Sequence, residues 1–229
     1  MTASRPLVLL AHGTANLAGQ DVVYAVGRET AARLPGVDVS VGFVDVCGPS
    51  AEEVLLAHPG AVVVPYLLTS GYHVRHDIPE AIRSADNGAV ATKALGVTPE
   101  VVDALLDRLR EEVDGGGAPE GEPRSVDALM LTAAGSSDAQ ARQEVLCTGA
   151  VLAACSGLPV RVGFMTGPGP GAAEVLDDLH AHGWQHVATV SYLLAPGFFH
   201  SRATGLGAAM TTAPLGVHPR LVEAVADRY

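Results

Sequence analysis

A chain of 229 residues, 48% hydrophobic but only 4% aromatic, has enough material to bury a sizeable core. Its formal net charge of −11 excludes general attraction to nucleic acid or to an anionic membrane surface. Three cysteines, Cys47, Cys147 and Cys155, without CxxC spacing exclude a disulfide framework and a structural zinc site, and read as buried thiols in a reducing cytoplasm.

Residues 6–11 (PLVLLA) read as a buried parallel strand running into the turn His12-Gly13-Thr14. This apolar run is too short for a signal peptide or a membrane span, which predicts a soluble, cytoplasmic protein. Residues 17–34 read as a helix closed by Leu34-Pro35-Gly36. Residues 37–44 form a second strand that delivers Asp45, and Pro49-Ser50 opens the short helix AEEVLLAH. Residues 61–68 are a third strand, which opens into Gly71, His73, Arg75, His76 and Asp77. Helix from Pro79 to Ser84, a weak strand near 89–94 and a helix over 99–113 follow. Strands alternating with helices predict an α/β fold with a doubly wound parallel sheet, whose chemistry belongs at the strand C-termini.

Residues 114–124 (DGGGAPEGEPR) hold glycine, proline and charge with nothing to bury, and read as a linker. After it the pattern restarts. AHGT at 11–14 answers AAGS at 133–136, VSVGFV at 39–44 answers VRVGFM at 160–165, and PSAEEVL at 49–55 answers PGAAEVL at 170–176. PYLLTSGYH at 65–73 answers SYLLAPGFF at 191–199, and ALGVTPEVVDAL at 94–105 answers PLGVHPRLVEAV at 214–225. Five matches in order at nearly constant offset indicate a duplication. The expected organisation is an N-terminal lobe over 1–113 carrying the active site, a linker, and a degenerate lobe over 125–229, with a cleft between the two lobes.

The two copies control for one another. His12 answers Ala134, Asp45 answers Thr166 and His73 answers Phe199. The apolar framework is common to both, yet all three titratable strand-end residues are confined to the first copy, as a single active site requires. Two imidazoles and a carboxylate suit a divalent first-row metal, and equally suit proton transfer near neutral pH. No HExxH, Walker A or GxSxG motif is present, and GPGPG at 167–171 reads as a tight turn before a helix. His58, His180, His182, His186 and His218 read as surface residues. His76, three residues after His73, reads as a supporting or surface group, and His200 as a candidate substrate contact.

AHGT, VGFVD with PSAEEVL, and LLTSGYHVRHDIPEAI together resemble the class II, ATP-independent sirohydrochlorin chelatases in their long two-copy form. The resemblance runs over nearly the whole chain, and HVRHDIP is its most specific part. It implies insertion of Fe2+ or Co2+, or Ni2+, as a substrate into sirohydrochlorin or a related tetrapyrrole, in sirohaem or cobalamin biosynthesis, with no permanently bound cofactor. The family's two histidines fall on His12 and His73 as metal-binding and catalytic residues. Its acidic residue, commonly Glu, falls on Asp45, one methylene shorter. The implied substrate carries many carboxylates while the protein is acidic. Relief is expected from helix N-termini near Thr14, Ser136 and Ser137, from Arg75 and Arg202, and from His200. A tetrapyrrole or metal carrier without turnover, and a His-dependent phosphoesterase, are the rival readings. A chain carrying both copies is expected to act as a monomer.

Overall fold

A computed structural model gives the fold and describes residues 4–115 and 125–229. Most of the expected linker, residues 116–124, lies outside the described residues. The first strand, β1 (Leu7–Ala11), is buried along its whole length, as a central parallel strand covered on both faces must be. It is followed by α1 (Leu17–Arg33), β2 (Val39–Phe43), α2 (Ala51–Ala57) and β3 (Val62–Tyr66). A π-helical turn at His73–Asp77 runs into α3 (Ile78–Ala85), then the two-residue β4 (Val90–Ala91) and α4 (Pro99–Gly115). The second repeat supplies β5 (Ala128–Ala133), α5 (Ala139–Ser156), β6 (Val160–Phe164), α6 (Ala172–Ala181), β7 (Val187–Tyr192), α7 (Phe198–Thr204), β8 (Met210–Thr211) and α8 (Pro219–Arg228).

All strand pairs are parallel, in the orders β2-β1-β3-β4 and β6-β5-β7-β8. The chain therefore winds outward in both directions from β1 and from β5, and each sheet is doubly wound as expected. The switch point lies between β1 and β3, which pair from Leu7↔Val62 to Ala11↔Tyr66. The sheet order thus brings the ends of β1 and β3 side by side, although 55 residues separate Ala11 from Tyr66 in the chain.

Local signals set the helix starts. The Asn16 side chain accepts from Ala18 N–H at the head of α1, and Ser50 with Glu53 forms a reciprocal capping box on α2. Val8, Leu10, Val54, Leu55, Val63 and Ile78 close one core of the first sheet. Each fully buried Leu or Ile there contributes about 1.5–3 kcal/mol through removal from water. Met130, Leu176, Leu179 and Val187 do the same in the second sheet, with Phe199 packed against them.

The compact units differ from the expected lobes. The first comprises residues 1–101 with 217–229, and the second comprises 102–216. The last helix of each repeat is therefore exchanged. In the first unit α8 packs on α1, Arg228 donates Nη2–H to the Leu95 carbonyl at 2.9 Å, and Tyr229 O–H donates to the Arg5 carbonyl at 2.6 Å. In the second unit Arg108 of α4 donates Nε–H and Nη2–H to the Leu215 carbonyl at 3.1 and 2.7 Å. Arg108 answers Arg228 and Leu95 answers Leu215 in the repeats, so the exchange is reciprocal. The repeat boundary marks where the pattern restarts in the chain, whereas the unit boundary marks where the helix buries its apolar face.

Candidate active site

The first unit places the two expected histidines together. His12 directly follows β1, and His73 opens the π-turn after β3. Their ring centroids lie 4.4 Å apart with the planes at 86°. His73 Nδ1 lies 2.5 Å from Asp77 Oδ2, and His12 Nδ1 lies 3.2 Å from the Gly13 carbonyl. Carboxylate and carbonyl oxygens only accept, so Nδ1 carries the proton in both rings and Nε2 carries the lone pair. Each imidazole thus offers one basic nitrogen. Asp77 is the carboxylate that orients His73. The available signal was the four-residue spacing of His73 and Asp77 on one helical face.

Asp45 follows β2 and is exposed. Its backbone N–H donates to the His12 carbonyl at 2.9 Å, and its Oδ1 accepts from Val46 N–H at 2.7 Å. Among the described residues no group of three or more His, Cys, Asp or Glu side chains gathers to hold a metal. The expected three-donor set of His12, His73 and Asp45 is therefore a pair, with Asp45 turned onto its own loop. That loop is interlocked with the first. Gly13 has φ +102°, and a Cβ there would stand 2.0 Å from the Asp45 carbonyl oxygen. Val46 itself has φ 66°, a conformation costing a β-branched residue about 1–3 kcal/mol.

At the expected anion sites the structure shows local hydrogen bonds. Thr14 Oγ1 accepts from Asn16 N–H, and Ser136 Oγ accepts from Asp138 N–H, so both hydroxyls brace turns. The N–H groups of Gln140 and Ala141 at the head of α5 donate to the Asp138 carboxylate. A protein carboxylate thus occupies the place expected for a substrate carboxylate beside Ser136 and Ser137. In the second unit His200 donates Nε2–H to the Thr212 carbonyl at 3.2 Å, and the Arg202 guanidinium lies 5.6 Å from the Phe198 ring centre. Arg75 is exposed on the π-turn. His76 stacks on Tyr72, ring centres 4.6 Å apart, as a supporting group of the turn.

Three further readings change. His218 is buried, and its Nδ1 accepts from Arg220 N–H as the cap of α8. His58 is part-buried, with Nδ1–H donated to the Val54 carbonyl and Nε2 2.9 Å from Ser40 Oγ. Cys147 and Cys155 are exposed on α5; like Cys47 they are free thiols. Where β3 ends, the buried Tyr66 hydroxyl has no hydrogen-bond partner among the described residues, and burial pushes its pKa up. Its counterpart Tyr192, whose hydroxyl lies 3.3 Å from Thr148 Oγ1, is pushed up to about 12 by burial.

An open parallel α/β unit, repeated within one chain and carrying an imidazole pair at the switch point of its first copy, defines a two-copy α/β protein. The CbiX family model matches residues 6–112 and again 128–229. The chain belongs to the CbiX family. It is 29% identical over 109 residues to the sirohydrochlorin cobaltochelatase of Sulfolobus acidocaldarius, covering 44% of this chain and 87% of that protein. It is 30% identical over 143 residues to the sirohydrochlorin ferrochelatase of Bacillus subtilis, covering 59% of this chain and 51% of that one. Among solved structures, SirB from Bacillus subtilis with Fe3+ superimposes with a TM-score of 0.78 at 22% identity, covering 98% of this chain and 93% of that chain. The fold is that of the chelatases. No helix among the described residues is long and apolar enough to cross a membrane.

Proposed function

We propose that this chain inserts Fe2+ or Co2+ into sirohydrochlorin without a nucleotide, acting as a cytoplasmic monomer. The observation that carries the reading is the His12–His73 pair, 4.4 Å between ring centres, at the switch point of the first sheet. Relatives carrying the names sirohydrochlorin cobaltochelatase and sirohydrochlorin ferrochelatase support the reaction class.

Metal insertion removes two pyrrole N–H protons from the ring as the ion enters. Two basic Nε2 atoms side by side can receive those protons, or hold the ion in passing, while each Nδ1–H stays committed to an oxygen. A two-nitrogen site holds a divalent ion loosely, as transfer demands, since a complete tetrahedral cage would retain it. Asp77 balances the positive charge on His73 when its Nε2 takes a proton. Arg75 is our candidate for a carboxylate of the macrocycle.

The direct test is the visible spectrum of metal-free sirohydrochlorin with Co2+ or Fe2+, with and without the protein. The expected result is conversion to the metallated spectrum well above the spontaneous rate. Binding without acceleration would make the chain a carrier. A second expectation concerns Asp77. Asp77→Ala should slow insertion by about 10–100-fold, whereas Asp77→Asn, which keeps an acceptor oxygen, should restore much of the rate. Nitrogen chemical shifts of His73 should report a change of tautomer in Asp77→Ala alone. Equal rates for Ala and Asn would remove the orienting role.

A further inference from the structure

We propose that Val46 is a ring-contact residue. Its side chain presents an apolar surface to the flat face of the bound macrocycle beside the imidazole pair, and the strained turn at Asp45–Cys47 is retained to hold it there. The proposal rests on the functional reading above and extends it to a named substrate contact.

The turn is closed tightly. Cys47 N–H donates to the Asp45 carbonyl at 2.7 Å, two residues back, with Val46 between them at φ 66°. This is a γ-turn of the rare, strained hand. A β-branched residue is among the least suited to it. The corresponding corner of the second unit has Gly167 at φ 77°. The backbone takes a similar course through the corner in both units, since a Cβ on Gly13 would stand 2.0 Å from the Asp45 carbonyl oxygen and one on Gly135 1.9 Å from that of Thr166, although Pro168 in the place of Cys47 has no N–H to close the turn. Glycine therefore satisfies the path without strain. What valine adds is its side chain, and that side chain is 57% exposed, so it gives little to the core. An apolar group held in solvent by a strained backbone points to a ligand.

Two other exposed apolar side chains stand beside the same strand ends. Leu17, which opens α1 after the His12 turn, is 72% exposed, and Tyr72, next to His73, is 60% exposed. Single exposed apolar residues are ordinary, but here each of the three strand ends carries one. The second repeat has Ala139 for Leu17 and Gly167 for Val46, and keeps an aromatic, Phe198, for Tyr72. The copy that lacks His12 and His73 thus also lacks two of the three apolar contacts. A planar macrocycle with an apolar face and a polar rim fits a few basic nitrogens set among such side chains.

The test measures thermal unfolding and the binding of metal-free sirohydrochlorin to the whole chain, for the parent, Val46→Gly and Val46→Thr. Val46→Gly should melt about 2 °C higher, the relieved strain outweighing the added freedom of the unfolded chain. It should also bind the ring about tenfold more weakly through loss of the apolar contact. Val46→Thr keeps the branched shape and the strain, so its melting point should stay near the parent's while binding weakens. A parent that binds beside a Val46→Gly chain that binds equally well overturns the role of Val46 alone. A Val46→Gly chain that melts below the parent removes the strain premise. A parent that fails to bind sirohydrochlorin brings down the functional reading, and this one with it.

Discussion

His73→Ala is expected to reduce metal insertion by about 10²–10⁴-fold, toward the spontaneous rate, with little change in folding. His73 sits at the start of a π-turn with its ring partly exposed, and π-turns are frequent where a helix is bent to serve a site. Its packing contribution is small, so the lost stability is limited to the Asp77 hydrogen bond, about 0.5–1.5 kcal/mol. The rate loss is larger because two events depend on one nitrogen. In the proposed reaction the two imidazoles act together, and a single remaining one cannot both hold an ion and receive a proton. His76→Ala makes the control, since that ring stacks on Tyr72 and forms no pair with His12. It should change the rate by less than about threefold. Insertion kinetics with Co2+ and with Fe2+, alongside circular dichroism, check both. A His73→Ala chain as fast as the parent would remove the imidazole pair as the centre of the chemistry.

The largest effect on stability is expected from Gly13→Ala. A methyl group there meets the Asp45 carbonyl oxygen at 2.0 Å and its carbon at 3.0 Å, on a backbone already at φ +102°. Neither neighbour is the free end of a side chain, so the loops after β1 and β2 must separate. The cost should be about 3–5 kcal/mol, or roughly 10 °C in melting temperature for a chain of this size. Gly135→Ala is the matched case, because its Cβ would stand 1.9 Å from the Thr166 carbonyl oxygen. It should cost similar stability while leaving the imidazole pair in place. Calorimetry gives the first quantity and insertion kinetics below the transition gives the second. A loss of less than about 1 kcal/mol for Gly13→Ala would show that the loops are free to part.

The doubly wound sheets were legible because their central strands are apolar throughout and their helices carry caps that act locally. Ser50 with Glu53 is an example, as both partners lie within four residues. His12 and His73 could be picked out because strand ends concentrate chemistry and the second copy lacks both. Asp77 stands four residues after His73, one helical turn on, whereas the family pattern points to Asp45, whose side chain accepts from Val46 N–H. The turns at Thr14 and Ser136 read as anion sites because helix starts present N–H groups there. Whether a side chain of the protein already takes up those N–H groups, as Asp138 does, depends on turn geometry. The burial of His218 likewise depends on where α8 packs, a tertiary matter. The helix exchange had no local signal at all. Val101, Val102 and Leu105 on α4 match Leu221, Val222 and Val225 on α8, so the two sheets could each accept either helix.

That exchange has a consequence for how the protein is made. The unit carrying the imidazole pair draws its closing helix from residues 217–229, which are made after the whole of the second unit. Its sheet emerges early but waits, with the surface of α1 that meets α8 uncovered, until residues 217–229 have emerged as well. A fragment ending at the linker would hold every proposed catalytic side chain and still be an unfinished object. Duplication has here produced two halves that mature only together, which ties the fate of the copy without the imidazoles to that of the copy that has them.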